Sequence, residues 1–331
     1  MVVLGVETSC DDTAAAVLLD GRTVLANLVS SQDAVHGPFG GVVPELASRQ
    51  HVRHILPIVD GALHKARVEL KDLDGVAVTR GPGLVGSLLV GLCVVKGISF
   101  RWGIPYVGVN HLEAHLLAIF LEREVSFPYI ALLVSGGHTL LYLVRGFGEY
   151  LYLGGTRDDA AGEAYDKVAK MMGLGYPGGK IIDQLARQGN PKAVSFPRAR
   201  IKKGTYDFSF SGLKTAVWQY LKAREHEWEA EKADVAASFQ EAVVDMLATP
   251  TLRAARELCV NRVVLAGGVA ANSRLRERMR AEGGEQGLEI DFPAPALCTD
   301  NGAMVALSGH YWLARGRRDD LRLNADADLT L

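Results

Sequence analysis

One local pattern occurs twice along the 331 residues and limits the fold more than any single motif. Val2 to Asp20 is an apolar run, a polar tip (Glu7-Thr8-Ser9-Cys10-Asp11-Asp12-Thr13) and a second apolar run. Tyr129 to Arg145 repeats it around Ser135-Gly136-Gly137-His138-Thr139. Two apolar runs joined by a short polar tip predict a β-hairpin. Each hairpin is followed, further along, by a strand, a glycine loop and a helix. The first is Gly75 to Ser99, with Val76-Ala77-Val78 and Gly81-Pro82-Gly83; the second is Arg262 to Arg280, with Val263-Val264-Leu265 and Gly267-Gly268. Strand–glycine–helix units are common singly. Repeated in this order they predict a duplicated α/β architecture, with a ligand expected in a cleft between the copies. At roughly 100–200 residues per domain the length also predicts two domains. We place them at 1–110, with 301–331 packing back on it, and at 111–300, with an insertion over 150–235. The charged tail from Arg315 to Leu331 is expected to be partly loose.

Composition excludes several classes. Apolar residues are 48% and charged residues 22% of the chain, as in an ordinary globular protein. With 36 Lys+Arg against 38 Asp+Glu, the net charge of -2 leaves RNA binding only to a local basic patch. Cys10, Cys93, Cys259 and Cys298 form no CxxC pair, so they read as reduced thiols of a cytosolic protein. The N-terminus has no basic flank, and the apolar stretch Leu84 to Phe100 is broken by glycines, Ser87 and Lys96. It is expected to be a buried helix, and no membrane partner is expected.

Three groups of residues carry chemistry. His111 and His115 stand at i and i+4 on a predicted helix from His111 to Glu122, where one face can present both imidazoles to a metal ion. Glu113 points away from that face and does not follow His111 directly, which argues against a metalloprotease. Asp300 is a candidate third ligand, its commoner use being a helix N-cap. At the hairpin tips, Ser135 to Thr139 can offer backbone N–H groups to phosphate oxygens, and Asp11 and Asp12 can hold a cation or a proton. Neither tip matches the P-loop pattern. Gly267-Gly268 can let a base or phosphate lie on the backbone, and Asn272 can bond a ribose or phosphate or cap a helix. Asp158-Asp159 and Asp166-Lys167 read as a cleft carboxylate or as surface ion pairs. The stretch Arg198, Arg200, Lys202, Lys203, Tyr206, Phe208, Phe210, Lys214 mixes cations with aromatics, which suits a nucleic-acid strand or a solvated loop anchored in the core. Arg49, His51, Arg53 and His54 form a second basic cluster, or a solvated helix face.

In order, these motifs, with Gly162-Glu163-Ala164-Tyr165-Asp166-Lys167, Tyr176-Pro177-Gly178-Gly179 and Phe210-Ser211-Gly212-Leu213-Lys214, resemble the bacterial TsaD family of tRNA threonylcarbamoyladenosine transferases from about Val2 to His310. The resemblance implies the α/β actin/Hsp70/sugar-kinase fold, and an acyltransferase that moves threonylcarbamoyl from threonylcarbamoyl-AMP to N6 of adenosine 37 in tRNAs reading ANN codons. It implies one divalent metal, iron or zinc, on His111, His115 and Asp300. It implies ATP or threonylcarbamoyl-AMP on Ser135, Gly136, Gly137, His138, Asp166, Gly179, Asp183 and Asn272. A tyrosine ligand of archaeal and eukaryotic relatives is Leu133 here. Glu7, Asp11 and Asp12 are the carboxylates from which a general base is expected. Implied partners are tRNA, an inactive TsaB-like paralogue, a TsaE-like ATPase and, upstream, a TsaC-type adenylate synthase, all in the cytoplasm. The rival readings are a small-molecule kinase of the same fold and a nucleotide-binding scaffold.

Overall fold

The computed structural model describes residues 1–199, 204–225 and 227–331. The chain divides into two compact units, Met1–Val125 with Thr299–Leu331, and Ser126–Cys298. The first unit therefore runs past residue 110 and takes in the helix that begins at His111.

In the first unit the sheet contains β1 (Val2–Glu7), β2 (Asp12–Leu19), β3 (Thr23–Ser31), β4 (Gly75–Gly81) and β5 (Tyr106–Asn110), in the order β3-β2-β1-β4-β5. β1 pairs antiparallel with β2 and parallel with β4. The helices are α1 (Asp33–His36), α2 (Pro44–Ala66), α3 (Val85–Trp102), α4 (His111–Leu117) and, from the far end of the chain, a helix over Gly302–Ala314. α4 is shorter than expected and tightens into a 3-10 turn over Ala118–Leu121. β1 and β4 are apolar on both faces because helices cover both faces, whereas the edge strand β3 buries only Ala26 and leaves the rest exposed or half-buried. The core gathers Leu4, Val6, Ala15, Val17, Ile55, Val76, Val78, Leu92 and Tyr106.

The second unit repeats the topology. Its strands are β6 (Tyr129–Val134), β7 (Thr139–Gly146), β8 (Glu149–Gly155), β9 (Arg262–Ala266) and β10 (Glu289–Asp291), in the order β10-β9-β6-β7-β8. β6 pairs antiparallel with β7 and parallel with β9. Thus β6 stands for β1 and β9 for β4, the duplication that the two hairpins and the two glycine-loop units predict. Between β8 and β9 come α5 (Ala161–Met171), α6 (Gly178–Ala186), α7 (Ser211–Ala223) and α8 (Lys232–Glu257); α9 (Ser273–Glu285) and α10 (Pro295–Cys298) follow, and Gly302–Ala314 is α11.

Two expectations change. α3 buries only one face, through Ser87, Leu88, Gly91, Leu92 and Val95, and leaves Val85, Leu89, Phe100 and Trp102 exposed. It is the one helix among the described residues long and apolar enough to cross a membrane. The segment after α11 is not loose. Asp319 and Asp326 bond the backbones of Tyr106 and Arg80, and Leu323 and Ala325 pack on the first core.

Candidate functional site

The β5–α4 junction builds the first half of the site. Asn110 ends β5 and its side chain accepts from the N–H groups of Leu112 (2.8 Å) and Glu113 (3.3 Å), capping α4. His111 and His115 then lie one turn apart with ring centroids 4.7 Å apart. Asp300 Oδ1 lies 3.0 Å from His115 Nε2 and 3.7 Å from His111 Nε2. Asp300 is not the cap of α11, because Asn301 takes that role by accepting from Met304 N at 3.1 Å. Glu113 faces elsewhere and accepts from Trp312 Nε1 at 2.8 Å.

A ligand atom from each of His111, His115 and Asp300 lies within 4.8 Å of the others, and both histidines are buried. Two imidazole nitrogens and one carboxylate oxygen suit zinc or iron. The surroundings fit as well. His111 Nδ1 donates to Glu7 Oε2 at 3.1 Å, with Ser9 Oγ also 3.1 Å away. That holds the ring with Nε2 toward Asp300, the carboxylate–histidine arrangement that supports metal ligands. Nδ1 of His115 has no hydrogen-bond partner among the described residues. Burial opposes charge on His111, but Asp300 and Glu7 outweigh it and raise its pKa to about 9. Burial likewise pushes Glu7 up, while His111 and the Thr79 hydroxyl hold it below the usual carboxylate range.

Glu7, Asp11 and Asp12 separate by environment. Glu7 is fully buried and accepts from Ser9 N, Thr79 Oγ1 (2.6 Å) and His111, so its oxygens are already engaged. Asp11 and Asp12 are only half-buried. Burial raises both, and Asp300 raises them further; Asp12 reaches about 8, with Asp11 also contributing. His51 fixes this loop. Its Nε2 donates to Cys10 O (2.9 Å) and its Nδ1 accepts from Thr13 Oγ1 (2.8 Å). His51 is therefore a buried, neutral support and not part of a basic face. Its partners lie some forty residues away, so spacing gave no signal; the same is true of Ser9 and Thr79.

In the second unit the Ser135–His138 tip is a tight turn closed by Ser135 N donating to His138 O (2.8 Å) and His138 N donating to Ser135 Oγ (3.1 Å). Gly136 and Gly137 are exposed, and a Cβ at either would meet nothing within 4 Å. Asp166 accepts from Gly178 N (2.8 Å) at the start of α6, and the half-buried Gly179 beside it has room for a Cβ, which would touch only Tyr165 Cβ at 3.9 Å. Asp183 accepts from Ser273 N (3.2 Å) and Oγ (2.8 Å), and from Arg187 (3.1 Å). Asn272 caps α9 through Leu275 N (2.9 Å) and donates to Gln240 (2.7 Å). An open depression of about 280 Å³ flanks them, lined by Arg187, Gln240, Glu241, Ser273, Arg274 and Glu277 among others. Gly267 gives no open platform: at φ +86° its Cβ would stand 2.4 Å from Val134 O.

Some described cations of the basic stretches are paired. Lys214 pairs with Asp159, which also holds Lys167 at 2.9 Å, and Arg198 pairs with Asp245 at 2.7 Å. Phe208 and Phe210 are core residues, and Asp158 caps α7 through Phe210 N (2.7 Å). Arg200, Lys202 and Lys203 lie outside the described residues. Arg49 pairs with Glu45 at 2.8 Å.

Comparison with known proteins follows the same outline. Full-length HypF, in its phosphate- and nucleotide-bound form, is similar with a TM-score of 0.63 at 14% identity, over 94% of this chain and 55% of its own. Component A of the (R)-2-hydroxyglutaryl-CoA dehydratase of Acidaminococcus fermentans gives 0.56 at 16% identity, over 95% and 99%. Both support the fold alone. The sequence is 54% identical to the tRNA N6-adenosine threonylcarbamoyltransferase of Syntrophotalea carbinolica over 332 aligned positions, covering 100% of this chain and 97% of that one. It is 55% identical to the enzyme of the same name from Geobacter metallireducens, over 98% and 96%. The family model TsaD, tRNA N6-adenosine threonylcarbamoyltransferase, matches residues 23–307, and the chain belongs to that family.

Proposed function

We propose that this chain transfers the threonylcarbamoyl group of threonylcarbamoyl-AMP to N6 of adenosine 37 in tRNAs reading ANN codons. The observation that carries this is family membership over nearly the whole chain. His111, His115 and Asp300 are the residues that would hold one divalent ion, iron or zinc. When bound, such an ion supplies Lewis acidity toward the carbamoyl carbonyl and offsets charge on the departing AMP. Glu7 and Ser9 keep His111 oriented for it.

The amine of adenosine is a weak nucleophile because its lone pair is delocalised into the ring. As N6 attacks, the new C–N bond forms and the bond from the carbonyl carbon to the phosphate oxygen breaks. AMP leaves with that electron pair, and a base takes the N6 proton. The half-buried Asp11 and Asp12 suit that role, and Glu7, with its oxygens engaged, suits positioning. Gly136, Gly137 and Gly179 are where backbone N–H groups can meet the adenylate or ATP. Ser135, His138, Asp166, Asp183 and Asn272 keep those segments in place and border the ligand. An anticodon-loop adenosine is readily unstacked into such a site. A tRNA substrate puts the reaction in the cytoplasm, downstream of a TsaC-type synthase and assisted by TsaE-like ATPase. The exposed Val52 and Leu56 of α2 with Leu89 and Phe100 of α3 offer apolar area for the TsaB-like paralogue.

The test is mass spectrometry of nucleosides from unmodified ANN-decoding tRNA, incubated with threonylcarbamoyl-AMP, the partners and either the wild type or the His111→Ala/His115→Ala variant. Modified adenosine from the wild type alone is expected. Modification by both removes the histidines from the chemistry. Modification by neither, with a known transferase active in the same mixture, sinks the reading.

A further inference from the structure

β5 is an edge of the first sheet, and exposed edges recruit strands unless they are covered. Here residues 319–330 cover it. Asp319 N donates to Tyr106 O (2.9 Å) and Asp319 Oδ2 accepts from Gly108 N (2.8 Å). Further on, Asp326 N donates to Arg80 O (2.9 Å) and Ala327 O accepts from Gly83 N (3.1 Å), so the segment holds both ends of the Gly81-Pro82-Gly83 loop. Gly81 is required there: its φ is +156°, and a Cβ would lie 1.9 Å from Asp326 O. Finally Thr330 O accepts from Asn110 Nδ2 at 3.2 Å.

Both ends of this strap lead to His111. Asn110 is its chain neighbour and the cap of α4. Next to Gly83, Leu84 N donates to Ser9 O (2.8 Å), and Ser9 Oγ lies 3.1 Å from His111 Nδ1. Strap, glycine loop, Ser9, His111 and Asn110 thus form a closed ring of contacts. We infer that residues 326–330 are a positioning element for the metal centre, setting the α4 cap, and with it the His111 imidazole, from outside the sheet. This rests on the metal reading above.

The test is Co²⁺ and Zn²⁺ affinity of the metal-free protein, measured against a competing chelator, with thermal unfolding of the metal-free form as the control for folding. Removing residues 328–331 is expected to weaken affinity about 2- to 10-fold, the worth of one hydrogen bond, with little change in unfolding temperature. Asn110→Ser keeps a capping oxygen but loses the donor to Thr330, so it should show a similar loss. In the Asn110→Ser background the truncation should then add nothing. Unchanged affinity in both variants, or a full extra loss on truncating Asn110→Ser, overturns the inference. If the truncated chain fails to fold, Asn110→Ser alone decides. A full chain that binds neither metal removes the metal reading, and the inference with it.

Discussion

The two hairpin tips occupy the same place in two copies of one topology, yet they differ in what they present. The β1–β2 tip is rich in acidic side chains: Glu7 is buried against His111, and Asp11 and Asp12 are half-buried, with burial and Asp300 raising their pKa values. At the β6–β7 tip the backbone is bare at Gly136 and Gly137, and in the same unit the polar side chains of Asp183 and Asn272 are engaged at the start of α9. Duplication supplied two equivalent loops, and charge was concentrated in one while the other was stripped.

This division can be broken from either side. The largest effect is expected for Glu7→Gln, which removes the negative charge behind His111 and should cost about 10–100-fold in metal affinity while leaving nucleotide binding intact. Equal metal affinity would place Glu7 outside the centre. Gly137→Val adds a side chain in open space, so unfolding temperature should hold, whereas affinity for a non-reactive adenylate analogue should fall about tenfold, as when one charge-assisted hydrogen bond is lost. A fall in metal affinity there would dissolve the contrast. Asn272→Ala should cost about 0.5–2 kcal/mol in urea unfolding, as a lost cap, without touching the metal.

The smallest effect concerns His51, whose pKa burial holds below 6.5. Above about pH 6.5 the ring is neutral folded and unfolded, so it gives no pH dependence. Below that, the unfolded chain takes up a proton that the folded one resists, so stability falls as pH drops toward the folded pKa. The stability gap between wild type and His51→Gln should therefore narrow on acidification from pH 7.5 to 5.5. A constant gap would mean that His51 does not titrate in this way.

The topology was legible because each of its parts is local: a hairpin tip or a glycine loop is written in consecutive residues. The pairing of His111 with His115 on one helix face was legible for the same reason, through helical spacing. Their supports were not. Ser9, Thr79 and His51 act across strands, and a hydroxyl or imidazole in a buried strand looks like any other. The pairing of Arg198 and Lys214 was not legible for a related reason. Composition counts charges but does not pair them, and Asp245 and Asp159 sit on other elements. Likewise Asp300 and Asn301 are equally good capping residues on paper. Only packing decides that Asn301 takes the cap.

That choice has a kinetic consequence. α11 lies against β1, β2, β4 and β5, at the centre of the first unit, and Asp300 projects from the residue just before its cap. A carboxylate mounted there has no private hinge. Hydrogen exchange at Met304, whose N–H closes the Asn301 cap, should proceed only through opening of the whole unit, at the slowest rate the protein shows. The third member of the His111–His115–Asp300 cluster would then be lost only when the domain itself unfolds, not by the fraying that opens most loops.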